Sequence, residues 1–214
     1  MDVANFIKYI LQGTVYTLGV TAVALPSGLI LGTLFALLAV YGGKTLKQVM
    51  SLYSTVMRGI PPIVLLLILY FVMSGEINLS PFWAGSISLG IISSAYQMEI
   101  VRGAILSVSA GQMMAARAIG LTRMQAIINI ILPQTLRNAI APWSNEAAII
   151  IKDSSLVYAL GVPEILRRAQ LIGASSGSYL PAYLTAALIY FALVFASSRL
   201  LGLLEKKLEI PANP

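Results

Sequence analysis

The chain has 214 residues, of which 58% are hydrophobic and 10% charged; soluble domains carry about 25% charged residues, so a water-soluble globular domain is excluded and a polytopic membrane protein is expected. It contains no Cys and no His, which removes disulfides, thiolate nucleophiles, Cys metal sites and the commonest general base, and with them most enzymatic readings. The net charge of +6 comes from basic residues spread thinly between apolar runs, a signature of membrane topology rather than of nucleic-acid binding.

Residues 1–17 lack a basic segment followed by a compact apolar stretch and a small-residue cleavage site, so no cleaved signal peptide is expected. Phe6, Ile7, Ile10 and Leu11 share one helical face, and residues 3–11 either lie along the membrane surface or extend the first span. Span one, residues 14–40, exceeds the roughly 20 residues that cross a bilayer core. Pro26 kinks it, and Gly28-x-x-x-Gly32 offers a flat surface for close helix contact. Gly42-Gly43-Lys44-Thr45 imitates the end of a phosphate-binding loop, but Leu38 stands where the first glycine is required and no strand precedes it. Any ATPase must be another chain.

Span two, residues 50–73, carries Arg58-Gly59-Ile60-Pro61-Pro62 in its first half. Two missing backbone donors weaken the helix there, and the bend either faces a translocation path or is a kink at the interface. Span three, residues 82–106, holds Glu99 and Arg102 at i, i+3, a spacing that lets them pair.

The stretch from Ser107 to Pro133 interrupts the apolar pattern. Ser109 with Gln112, and Thr122 with Gln125, are two S/T-x-x-Q capping boxes, each predicting a helix start. Gly120 between them ends a helix at low cost because it accepts a left-handed conformation. Met124, Ile127, Ile128 and Ile131 fall at i, i+3, i+4, i+7, one apolar stripe. The prediction is helix, glycine turn, amphipathic helix, then Pro133 before the next span.

Span four, residues 136–156, is the most polar, with Asn145, Glu146, Lys152 and Asp153 in or near it. An ionisable group at a membrane centre costs about 2.5–3.5 kcal/mol on insertion scales, so such groups usually line a bundle interior or a pathway. Glu146 and Asp153 lie on one face, roughly 10 Å apart. A polar link from Gly161 to Ser178 leads to span five, residues 179–204, ending in Glu205-Lys206-Lys207. Five spans put the termini on opposite sides. With Lys44, Lys47, Arg58, Arg102, Arg117, Arg123, Arg137, Arg199, Lys206 and Lys207 on the cytoplasmic half, ten of the fourteen basic residues are inside. The N-terminus is then outside, the C-terminus and central loop cytoplasmic. Arg167 and Arg168 are exceptions to the rule.

Ala115-Ala116, Gly120 four residues on, and Ile131-Leu132-Pro133 resemble the EAA loop of ATP-binding cassette (ABC) import permeases. Arg58-Gly-Ile-Pro-Pro62, Tyr96-x-x-Glu99-Ile-Val-Arg102-Gly103, Gly111-Gln112, Ala116-Arg117-Ala118-x-Gly120-Leu121, Leu132-Pro133-Gln134, Asn145-Glu146 and Lys152-Asp153-Ser-Ser-Leu156 resemble the polar amino-acid uptake branch of that superfamily. One departure is Met114, which stands where the family's triplet begins with an acidic residue.

The resemblance implies an all-α integral membrane protein of the type I ABC importer permease fold. Residues 1–214 would form one transmembrane domain of five helices, with a cytoplasmic two-helix EAA coupling loop at about 107–133. It further implies a non-catalytic chain with no cofactor or metal of its own, ATP and Mg being bound by a partner. The expected partners are two ATP-binding cassette ATPase subunits, a second permease chain that is either identical or different, an extracytoplasmic amino-acid-binding protein and the lipid bilayer of a bacterial inner membrane. Ala115, Ala116, Arg117, Gly120, Leu121 and Pro133 would couple to the ATPase. A polar amino acid needs partners for both its charges in a low-dielectric interior. Arg102 is the candidate for its carboxylate, Glu146 and Asp153 for ammonium or guanidinium, and Asn145 and Ser154 for neutral hydrogen bonds; the acidic excess points to lysine, arginine or ornithine. The competing view of the same residues is internal salt bridging, Glu99 with Arg102 and Lys152 with a neighbouring acid. An ion-gradient-coupled secondary amino-acid carrier is the alternative class, which the lack of an internal inverted repeat disfavours.

Overall fold

A computed structural model describes residues 3–208. Among the described residues there is no strand. The helices are α1 (Val3–Leu11), α2 (Thr14–Tyr41), α3 (Lys44–Gly59), α4 (Pro62–Ile77), α5 (Pro81–Ser107), α6 (Ala110–Ala118), α7 (Arg123–Ala126), α8 (Leu132–Asp153), α9 (Ile165–Ser176) and α10 (Tyr179–Leu208). A π-helical turn at Ile127–Ile131 joins α7 to α8, and a 3-10 turn at Ser154–Leu160 follows α8.

The centre of the molecule is the pairing of α2 with α5. Thr21, Ala24, Gly28, Gly32, Ala36 and Ala39 of α2 are buried, three or four residues apart, so one face of the helix is small throughout. That face lets two backbones approach as in membrane helix pairs, where packing replaces the hydrophobic effect as the driving force. A Cβ added at Gly28 would stand 2.6 Å from Gln97 Nε2, and one at Gly32 2.8 Å from the backbone of Ser94 and Met98. The packing role expected of the two glycines is what the structure shows. With α3, α4 and α8 also packed on it, α5 is sheathed by protein and buries Ser86, Ser88, Ser93, Ser94 and Gln97.

Two helices are long and apolar enough to cross a membrane by themselves: α1 with α2, a 39-residue rod from Val3 to Tyr41, and α10. Residues 3–11 form the separate helix α1, joined to α2 by a turn at Gln12 and Gly13. The joint at Gly13 rests on α9, where a Cβ would fall 2.5 Å from the Ile165 amide. Ile10, Ile165, Ala169, Ile172, Ala182 and Ala186 knit α1, α9 and α10 into one apolar cluster. Within it Glu164 caps α9, accepting from the amides of Leu166 (2.8 Å) and Arg167 (2.6 Å) and from the Tyr190 hydroxyl (2.5 Å). Arg168, one of the topological exceptions, donates to the Tyr9 carbonyl and Gln12 Oε1 and lies over the Tyr9 ring.

Span two differs from expectation. The chain is continuous helix only to Gly59, and α3 and α4 meet at an angle of 108°. Ile60 precedes a proline and is held extended at φ −105°, ψ 137°, because the ring of Pro61 crowds the helical conformation of its predecessor. Pro62 then opens α4, where a missing amide costs nothing. The helix also begins earlier than expected, at Lys44 rather than near Met50.

The central loop also differs. Thr122 and Gln125 form the full reciprocal capping box, but the Ser109 side chain accepts from the Gly111 amide at 3.3 Å, and no reciprocal bond from Gln112 completes that box. From Arg123 to Asp153 the chain is one uninterrupted rod, not a separate amphipathic helix followed by a span. Pro133 has no amide to give and its ring would strike the carbonyl four residues back, and the wider π turn before it removes both conflicts. Of the predicted apolar stripe only half turns inward. Ile127 and Ile131 are buried while Met124 and Ile128 face outward.

Candidate functional site

Glu146 sits in the middle of α8 and is only 3% exposed. Ser93 of α5 donates to its Oε1 at 2.8 Å, and Gln97 Nε2 donates to Ser93 Oγ at 2.9 Å and to the Leu25 carbonyl of α2 at 3.1 Å. Trp143 Nε1 completes the chain by donating to Gln97 Oε1 at 2.9 Å. Three helices are thus joined by one buried run of hydrogen bonds that uses every polar atom of the Gln97 amide. Ser93 and Gln97 were not singled out in the sequence; their i, i+4 spacing in an otherwise apolar helix is the signal that marks them as one polar face.

Asp153 is the last residue of α8, half-buried, two turns beyond Glu146. Among the described residues neither acid has an ion-pair partner, the ion pairs being Glu99 with Arg102 and Glu99 with Arg58. Lys152 is exposed and makes no ion pair among the described residues. Asn145 adjoins Glu146 in sequence but is turned outward, and the Ser154 hydroxyl is buried, donating back to the Ile151 carbonyl at 2.7 Å. Arg102 is elsewhere. It donates to Glu99 Oε2 at 2.9 and 2.6 Å, while Ser54 and Arg58 of α3 hold the other carboxylate oxygen at 2.8 and 3.8 Å. Nine residues separate Ser93 from Arg102, about 14 Å along α5. The structure therefore keeps Glu146 and Asp153 on one helix and sets Arg102 in an internal ion cluster apart from them.

At the opposite end of the α7–α8 rod, α6 closes on the Gly120 corner. Gly120 has φ +88°, its amide bonds the Arg117 carbonyl at 3.1 Å and the Leu121 amide bonds the Ala116 carbonyl at 3.1 Å. That pair of bonds is the Schellman ending, which satisfies the last carbonyls of a helix through a left-handed residue. Arg117 Nη1 reaches the Leu121 carbonyl across the same turn. Ala116 points inward and is buried, Leu121 is half-buried, and Ala115, Arg117, Gly120 and Pro133 are exposed. Met114, Ile119 and Met124 add large apolar side chains to the exposed surface of this corner, a feature that the reading of the capping pattern did not reveal.

This helical chain, with its buried polar run and its Gly120 corner, matches a known family. Residues 28–210 match the model of the binding-protein-dependent transport system inner membrane component. The chain belongs to that family. Relatives of the permease include a probable amino-acid ABC transporter permease, YckA, of Bacillus subtilis, 38% identical over 93% of this chain and 88% of that one. The glutamine transport system permease GlnP of Escherichia coli K12 is 33% identical over 95% and 94%. Among solved structures, an amino acid ABC transporter crystallised with histidines superposes on the permease with a TM-score of 0.86 at 34% identity, covering 97% of this chain and 99% of the other. An inward-facing MetNI methionine transporter superposes with a TM-score of 0.83 at 19% identity over 98% and 100%, a likeness of fold. The permease is thus a multi-pass inner-membrane transport subunit with type I ABC importer neighbours, and a secondary carrier is not what its family indicates.

Proposed function

We propose that this permease carries polar amino acids, cationic ones foremost, through an ABC importer in which separate chains hydrolyse ATP. The observation that carries the substrate assignment is the pair Glu146 and Asp153, two acids on one membrane helix that make no ion pair among the described residues, Lys152 beside Asp153 being exposed. An unpaired acid in such a place is costly, and a lysine, arginine or ornithine side chain entering the bundle supplies the missing charge. Asn145 and Ser154 are neutral partners nearby, and Arg102 belongs to the carboxylate end of the substrate only if its bond to Glu99 opens.

Five crossings fit the helices: α1–α2, the broken pair α3–α4, α5, α8 and α10, with the N-terminus outside and the Gly120 corner in the cytoplasm. Five helices are too few to enclose a path, so a second permease chain, identical or not, completes it. Each permease offers its Gly120 corner to one of two ATPase subunits, which hold ATP and Mg, and an extracytoplasmic amino-acid-binding protein delivers substrate. Ala115, Arg117, Gly120 and Pro133 are on the surface of that corner; Ala116 and Leu121 set its shape.

The test is uptake of labelled arginine, lysine and glutamine into proteoliposomes holding the complete complex. Glu146→Gln and Asp153→Asn are each expected to lower arginine and lysine uptake at least about tenfold, the loss of one charged partner being worth 1.4 kcal/mol or more. Unchanged uptake in both variants overturns the assignment of the acids, and uptake driven by an ion gradient without ATP overturns the importer.

A further inference from the structure

One end of α10 carries a feature that transport leaves unused. The most apolar stretch of α10 has no buried residue, and Leu188, Phe191 and Phe195 are exposed along it, the composition of a helix that meets lipid tails. Tyr179 and Tyr183 stack at its beginning with ring centroids 6.4 Å apart, as amphipathic rings do at a membrane interface. Arg199 follows Tyr179 by 20 residues. At 1.5 Å per residue that is about 30 Å, the thickness of the hydrocarbon core, so Arg199 stands at the opposite interface.

Around Arg199 the surface is concave. Ser198, Gly202 and Lys206 recur at every fourth position and, with Arg199 and Leu203, line a cavity of about 510 Å³. Its floor is Gly202, where an added Cβ would meet nothing within 4 Å. The Arg199 guanidinium is held over the Phe195 ring at 5.6 Å, and neither Arg199 nor Lys206 has an ion-pair partner among the described residues. Glu205 is the acid beside them, Lys207 a further cation, and the local balance is positive.

We propose that the Gly202 notch binds the phosphate of an anionic phospholipid. Arg199 and Lys206 straddle the phosphate, the Ser198 hydroxyl donates to it, and the acyl chains lie along Phe195 and Phe191. A soluble phosphate would find the two cations but leave that apolar track empty, which is why a lipid is the better occupant. A basic cluster at the cytoplasmic end of a membrane helix also faces the leaflet richer in anionic lipid.

The experiment titrates phosphatidylglycerol and phosphatidylcholine onto the detergent-purified full chain and counts retained lipids by native mass spectrometry. Each cation is worth about fivefold, so Arg199→Gln with Lys206→Gln is expected to lower phosphatidylglycerol retention about thirtyfold and leave phosphatidylcholine unchanged. Gly202→Leu, with every charge in place, is expected to reduce retention too by filling the notch. If that variant loses helical circular dichroism, Gly202→Ala replaces it. Lys44→Gln with Lys47→Gln, elsewhere on the same side, is expected to retain lipid as the wild type does. Equal retention of the two lipids, an unaffected Arg199/Lys206 variant, or equal loss in the Lys44/Lys47 variant would overturn the proposal. Displacement by glycerol 3-phosphate at equimolar concentration would overturn it in favour of a soluble phosphate.

Discussion

Replacing Gly32 by alanine probes the close approach of α2 to the backbone of α5. The added methyl stands 2.8 Å from Met98 N and Ser94 O and 2.9 Å from Gln97 Cβ. Comfortable contact begins near 3.5 Å, so α2 and α5 must part by roughly 0.7 Å. Two of the three opposing atoms are backbone and cannot swing aside, which puts the overpacking cost in the upper part of its usual range, about 2–3 kcal/mol. Alanine returns about 0.8–1 kcal/mol through its better helix propensity. The net loss is about 1–2 kcal/mol, a fall in Tm of about 2–8 °C for a chain of this size. Gly103, on the same α5 but with nothing within 4 Å of its missing Cβ, is the control, and Gly103→Ala is expected to melt no lower than the wild type. Thermal unfolding in one detergent, followed by size-exclusion fluorescence, gives both numbers. Gly32→Ala melting at or above Gly103→Ala would refute the claim that backbone proximity holds this pair.

At Gly120 the space is open and the strain is purely in the backbone, so Gly120→Val is expected to cost about 1–2 kcal/mol and weaken binding of the partner ATPase about 5–30-fold. Gly120→Asn, which tolerates the left-handed region, should recover most of it, and undiminished ATPase binding by the valine variant would separate the corner from docking. Gln97→Leu strands the Trp143 indole N–H at a cost of about 1–3 kcal/mol. Trp83 is the other of the two tryptophans, so in a Trp83→Phe background the emission reports Trp143 alone; a blue shift with a lower Tm is expected, and an unmoved spectrum would deny the hydrogen-bond chain. Burial in the link between α8 and α10 pushes the Glu164 carboxyl above its ordinary value, the two amides and the Tyr190 hydroxyl that it accepts from opposing the shift only in part. The folded state then holds its proton more tightly than the unfolded one, so the contribution of Glu164 to stability is complete below the ordinary carboxylate pKa of about 4.3 and is lost as pH rises through the raised value. The Tm of the wild type relative to Glu164→Gln should therefore fall between pH 4 and pH 8, and a constant difference would contradict the shift.

Where a long apolar run ends in an unambiguous stop, the sequence located the helix well. Span one at 14–40 became Thr14–Tyr41, bounded by Gly42-Gly43, and span three at 82–106 became Pro81–Ser107, opened by its proline. The error at Pro61-Pro62 was one of degree: two prolines were read as a kink, but the extended conformation forced on Ile60 turns the chain by 108°. The π turn before Pro133 lay beyond any pattern built on 3.6 residues per turn. Glu146 and Asp153 were legible because acids are rare in an apolar helix. Their surroundings were not, since facing a particular Ser or Gln across the bundle depends on the crossing of α5 and α8, which periodicity within one helix does not encode. Arg102 illustrates the same limit in reverse. Its pairing with Glu99 was readable at i, i+3, whereas the third and fourth members, Ser54 and Arg58, come from a helix 45 and 41 positions back from Glu99.

The continuous run from Arg123 to Asp153 has a mechanical consequence. Between Arg123 and Glu146 lie 23 residue steps, about 35 Å of continuous helix at 1.5 Å each, with Pro142 inside it. Such a rod acts as a lever. A tilt of about 10° with Glu146 as fulcrum sweeps the Gly120 end through about 6 Å, and the same push in reverse applies torque where the two unpaired acids sit. Had Pro133 broken the helix, force applied at one end would have been spent in the joint. The five residues of the π turn carry the helix past Pro133, which leaves Pro142, about one turn before Glu146, as its weakest point.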